Sequence, residues 1–92
     1  MTWTDEDMCI AQWMLAEYRK QNFLSQALAA REIRLMFGEA HVYQNRHGNW
    51  AVNKPILEAF KTLTAEYVVW SRSFQIWRPR TAQDPTGTRV SR

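Results

Sequence analysis

The side chains that most often hold metals in proteins are scarce in this sequence. His41 and His47 stand six positions apart on either side of a polar turn, a spacing that favours surface and local pairing roles over two converging ligands. Cys9 is the single cysteine, so neither an intramolecular disulfide nor a Cys-x-x-Cys redox pair can form. We therefore expect no metal and no cofactor.

Catalytic groups are equally hard to assemble. Cys9 has no histidine beside it that would act as a base, and nothing marks a serine as a nucleophile. Four glutamates fall on predicted helices or helix ends, where capping and solvation account for them: Glu17, Glu32, Glu39 and Glu58. With three glycines there is no phosphate-cradling loop. The sequence predicts a protein that is not an enzyme and has no small-molecule ligand.

Positive charge and aromatic side chains instead alternate in one segment, Tyr67 to Arg80. Residues 67–92 carry a net charge of +4, whereas residues 1–66 carry −1. This asymmetry favours an acidic partner, nucleic acid being the commonest, although the arginines could equally just keep the chain end soluble. Aromatic residues and arginine are enriched at interfaces. The predicted binding surface comprises Lys61, Tyr67, Arg72, Trp77, Arg78 and Arg80.

Three helices are predicted to position this segment. Thr4 and Asp7 can cap a first helix over residues 5–20 that ends before Gln21-Asn22. Ser25 can cap a second that reaches Phe37, with Gly38 as its left-handed terminator. Asn53 and Pro55 favour a third over residues 54–64, its outward face carrying lysines and Glu58.

Two hairpins are predicted beside the helices. A turn at residues 45–48 would join the first pair of strands and set Tyr43 opposite Trp50. A turn at residues 71–73 would join the second pair and place Trp77 with Tyr67 and Val69, on the face opposite Trp70. We expect Trp77, Tyr67 and Trp50 to form an exposed aromatic patch.

The fold class is therefore α+β, in the order α-α-β-β-α-β-β. Residues 1–78 should form one domain, and residues 79–92 a flexible basic tail without secondary structure. The acidic N-terminal stretch and apolar runs of about four residues predict a cytoplasmic protein that does not enter a membrane.

This order of elements resembles a winged-helix module, with the second hairpin as the wing and Arg72 at its tip. Two features depart from it. About fourteen residues separate the second and third helices, where a few are usual. Glu58 on the third helix would also repel phosphate.

Four stretches carry a second resemblance: residues 48–54, 56–60, 68–73 and 77–80. They are similar to a small bacterial and phage-associated family of unknown function, over about residues 8–80, and such a family implies no activity. Two functions stay open. The first is protein interaction or homo-oligomerisation through the aromatic and arginine segment. The alternative is winged-helix-like DNA binding through Lys61, Arg72, Arg78 and Arg80.

Overall fold

The computed structural model describes residues 3–64, 67–81 and 90–91. Its first helix, α1, spans Asp5–Gln21 and begins with the predicted capping box. Thr4 Oγ1 accepts from Asp7 N at 3.1 Å, and Asp7 Oδ2 accepts from Thr4 N at 2.9 Å. Asn22 ends the helix in the left-handed conformation with φ of 65°. Side-chain caps therefore fix the start of α1, and a left-handed residue fixes its end.

A short strand and the second helix follow. Strand β1 covers Leu24–Ser25 and was not predicted, and helix α2 covers Gln26–Met36. Ser25 Oγ accepts from Leu28 N at 3.4 Å as the predicted cap. Gly38, with φ of 110°, turns the chain into a single 3₁₀ turn at Glu39–His41.

The first hairpin pairs β2, Val42–Gln44, with β3, Trp50–Val52. Gln44 lies opposite Trp50, so Tyr43 faces Ala51 and the predicted Tyr43–Trp50 pair is wrong. The loop is one residue longer than expected because Asn45 organises it. Asn45 Oδ1 accepts from His47 N at 3.0 Å and from Asn49 N at 3.1 Å.

Helix α3 spans Lys54–Thr64, as predicted. Asn53 occupies the position before it, its carbonyl accepting from Leu57 N at 3.2 Å. The Asn53 side chain donates from Nδ2 to the Ala40 carbonyl at 2.7 Å, which ties the start of α3 to the 3₁₀ turn. Helix α3 packs along α1 and completes the core.

The second hairpin joins β4, Val68–Ser71, to β5, Ile76–Pro79. Its turn covers residues 72–75 rather than 71–73, and the cross-strand register is offset by three residues from the prediction. An odd offset moves side chains to the other face of a sheet. Trp77 therefore lies opposite Trp70, on the same face, and the predicted grouping of Trp77 with Val69 is wrong.

Strand β1 pairs with β5, and a further strand, β6 at Val90–Ser91, runs parallel to β4. The sheet order is β1-β5-β4-β6. The prediction of no secondary structure from residue 79 onward therefore fails at Pro79, the last residue of β5, and at residues 90–91, which form β6. Residues 82–89 and 92 of that predicted tail lie outside the described residues.

The core lies between the three helices and the α3-facing side of this sheet. Its largest fully buried side chains include Phe60, Ile10, Met14, Ile33 and Ile56. Within the residues that the structure describes, three α-helices and two small sheets confirm the predicted α+β class. Within the described ranges, no helix is long and apolar enough to cross a membrane.

Candidate functional site

Two tryptophans lie side by side on the face of the sheet that is turned towards α3. The ring centroids of Trp70 and Trp77 are 4.7 Å apart, with the planes tilted by 48°. Trp77 also packs edge-on against Phe60 of α3, with centroids 5.3 Å apart. Trp77 is only 5% exposed, whereas Trp70 is half-buried. The buried ring thus supports a neighbour that reaches the surface.

This pair borders a cleft of about 330 Å³ between α3, the sheet and the start of α2. Its lining residues are Gln26, Leu57, Glu58, Lys61, Trp70 and Trp77. Two indoles and a leucine give it apolar walls, and an amide, a carboxylate and an ammonium group lie among them. Apolar walls with a few polar groups are typical of binding clefts, because the walls supply affinity and the polar groups fix orientation.

Of the six predicted surface residues, the cleft brings together Lys61 and Trp77. Tyr67 is 44% exposed, and its hydroxyl donates to the Leu63 carbonyl at 3.2 Å. Burial, with neighbouring Tyr67 as the second cause, raises the pKa of Tyr18 above its ordinary value of 10.0. Tyr67 therefore belongs to the α1–α3 side of the hairpin and does not line the cleft.

The three predicted arginines are placed differently from one another. Arg72 is exposed in the hairpin turn, where its carbonyl accepts from Gln75 Nε2 at 2.9 Å. Arg78 lies opposite Val69 on β4, so alternation places it on the sheet face away from the Trp70–Trp77 pair. Arg80 is half-buried and donates its backbone N–H to the Tyr67 carbonyl at 2.9 Å. Arg78 therefore does not lie on the same sheet face as the cleft that Lys61 lines.

The predicted exposed aromatic patch is wrong because Trp77 is buried. Trp50 is also engaged elsewhere. The Arg34 guanidinium lies 4.8 Å from the centre of the Trp50 ring and 3.5 Å from Glu39 Oε1. Four cleft residues were missed: Gln26, Leu57, Glu58 and Trp70. Trp70 could have been found only from the correct hairpin register, which puts it beside Trp77.

Within the described part of the chain, no group of three or more His, Cys, Asp or Glu side chains converges to hold a metal ion. His41 Nε2 lies 3.2 Å from Glu6 Oε1, so this histidine makes a contact between the 3₁₀ turn and α1.

A family model matches residues 6–79 of the sequence. The chain belongs to the family of unknown function DUF6953. All six cleft-lining residues fall inside the region matched to DUF6953, which ends with the last residue of β5. Searches of curated proteins and of solved structures found no match. The predicted resemblance to an uncharacterised family is confirmed, and DUF6953 membership itself names no activity.

Proposed function

We propose that this DUF6953 protein is a non-enzymatic, cytoplasmic binding module whose cleft receives an apolar side chain from an acidic protein segment. The observation that carries the proposal is the half-buried Trp70 beside the buried Trp77, with Lys61 in the same cleft. This retains the predicted class of partner and moves the contact from an exposed patch to a groove beside α3.

The physical basis is the combination of a rigid aromatic wall with one cation. An indole offers a large contact area at a small entropic cost, and Phe60 restricts the Trp77 ring from below. Lys61 is exposed and can pair with a carboxylate next to the anchoring side chain. Glu58 repels a ligand carboxylate from its part of the cleft, whereas Lys61 attracts one. The two charges therefore favour one orientation of the ligand.

A defined probe for the cleft is N-acetyl-tryptophan, compared with its uncharged amide analogue. We expect N-acetyl-tryptophan to bind with a dissociation constant on the order of 1 mM and to shift the indole and backbone NMR signals of Trp70 and Leu57. The amide should bind about two- to five-fold more weakly, because it offers no carboxylate to Lys61.

Paired substitutions separate the contributions of the ring and the cation. Trp70→Ala should weaken both probes by at least about ten-fold. Lys61→Ala should remove only the preference for the carboxylate. Phe74→Ala on the same hairpin and Lys54→Ala on the same helix are controls outside the cleft and should bind as wild type. Equal binding by Trp70→Ala and wild type would exclude the cleft as the contact site.

DNA binding is a second candidate, favoured by the sheet topology. Strand β1, between α1 and α2, pairs with the returning strand of the hairpin after α3, which supports the winged-helix resemblance. Arg72 is exposed in the wing turn, and Lys54 and Lys61 are exposed on α3. Glu58 and the opposite-face position of Arg78 weaken this candidate, which ranks second.

DNA binding is tested by measuring the affinity for duplex DNA at salt concentrations between about 50 and 200 mM. If the wing and α3 contact phosphates, Arg72→Ala and Lys61→Ala should each reduce the log–log salt slope by about one. Trp70→Ala should leave DNA affinity unchanged while it weakens binding of N-acetyl-tryptophan. This variant therefore distinguishes DNA binding from peptide binding. Wild-type binding that does not depend on salt would count against DNA recognition.

A further inference from the structure

The outward side of α2 carries an apolar ridge that the fold leaves uncovered. Ala29, Ala30 and Ile33 are fully buried and mark the inner side of the helix. At 100° per residue, Leu28 and Leu35 stand in line on the opposite side. They are 48% and 65% exposed. The two leucines form an exposed apolar strip, and contiguous exposed apolar surface marks candidate contact sites.

Opposite charges border this ridge. Arg31 and Glu32 lie about 100° apart around the helix, one on each side of the line between the two leucines. Side chains at adjacent positions do not face each other, and ion pairs along a helix need a spacing of three or four. Neither residue has an oppositely charged side chain three or four positions away within α2. The residues at those positions are Ala27, Leu28, Ala29, Arg34, Leu35 and Met36.

Two further exposed apolar side chains lie near the ends of α2. Gln26 N donates to the Gln75 carbonyl at 3.1 Å, which fixes the hairpin turn against the start of α2. Phe74, the neighbour of Gln75, is 74% exposed. At the other end of the helix Met36 is 52% exposed. Exposed apolar side chains therefore occur near both ends of α2, and Met36 lies about 80° around the helix from Leu28.

We propose that a second copy of this chain docks on the ridge, with α2 packed parallel to α2 of the second copy about a two-fold axis. A two-fold axis parallel to the helices exchanges their flanks, so Arg31 of each copy meets Glu32 of the other. The leucines then meet their own counterparts. An antiparallel arrangement would instead set Arg31 against Arg31 and Glu32 against Glu32. The charges on the ridge thus select a second copy in one orientation.

The interface is small, and this fixes the expected affinity. An eleven-residue helix is about 16 Å long, so the contact falls below the size of standard stable interfaces. Sedimentation equilibrium of the full chain should show a reversible dimer with a dissociation constant on the order of 100 µM. Leu28→Ala with Leu35→Ala should raise that constant at least about ten-fold. Tyr43→Ala, which removes an equally exposed side chain on β2, is the matched control and should not change it.

A charge exchange tests the orientation. Arg31→Glu and Glu32→Arg should each raise the dissociation constant about three- to ten-fold, and the double variant should return it to near the wild-type value. Circular dichroism should confirm that all variants stay folded, because Arg31 is exposed and Glu32 is half-buried on the flank of α2, outside the buried core. A chain that stays monomeric at every concentration overturns the proposal and would leave the ridge to a different partner. So does a dimer that is insensitive to the ridge substitutions, or single exchanges without effect.

Discussion

Replacing Phe60 with alanine should lower the free energy of unfolding by about 3–5 kcal/mol and should abolish binding at the cleft. Phe60 is fully buried and is the largest such side chain in the core. Its ring contacts Trp77 edge-on, so the alanine variant loses an aromatic contact and also leaves a cavity beneath the cleft wall. Urea denaturation monitored by circular dichroism measures the stability loss.

A conservative variant separates the two effects. Phe60→Leu keeps most of the buried volume and should cost about 1–2 kcal/mol, so this protein should stay folded and can be assayed with N-acetyl-tryptophan. We expect weaker binding by Phe60→Leu, because Trp77 loses its edge-on support. Phe74→Ala, at an exposed turn position, should change stability by no more than about 0.5 kcal/mol. A similarly small loss in Phe60→Ala would contradict the packing described for the core.

The helices were predictable because their ends are encoded locally. Thr4 and Asp7 make the capping box that their spacing predicts, and α1 ends one residue beyond the expected limit. The Asn53 and Pro55 signals place α3 at its observed bounds. Such signals act over three or four residues, so they survive without knowledge of the rest of the chain.

The hairpins were predicted as elements but not in register, because turn geometry sets the register. Asn45 lengthens the first loop by accepting two backbone N–H groups. In the second hairpin Gln75 adopts φ of 55°, a conformation that is uncommon outside glycine. Nothing in its residue type announces this. The resulting offset moved Trp77 from the predicted exposed patch into the core.

The cleft could be predicted only in part for the same reason. Lys61 and Trp77 were among the predicted surface residues, but Trp70 was assigned to the other face of the sheet. Strand β1 was missed because two residues have no detectable period, and it exists through pairing with β5 across the fold. Gln26, which follows β1, was therefore not expected near the hairpin.

Gly38 should be the least replaceable glycine of the described residues. Its φ of 110° with ψ of 159° lies in a region that is essentially restricted to glycine. A Cβ at this position would meet nothing within 4 Å, so the penalty for Gly38→Ala comes from the backbone and not from a clash. We expect a loss of about 2–3 kcal/mol in unfolding free energy, measured by urea denaturation.

Gly48 provides the matched control. It also has open space around its Cβ position, but its φ of 79° is closer to the left-handed region that other residues can occupy. Gly48→Ala should cost about 1 kcal/mol, and Gly48→Asn less, because asparagine tolerates that region. Gly38→Asn should give no comparable relief. Gly38 turns the chain from α2 into the 3₁₀ turn whose Ala40 carbonyl accepts from the Asn53 side chain. Equal losses of unfolding free energy in Gly38→Ala and Gly48→Ala would show that backbone strain at this junction does not limit stability.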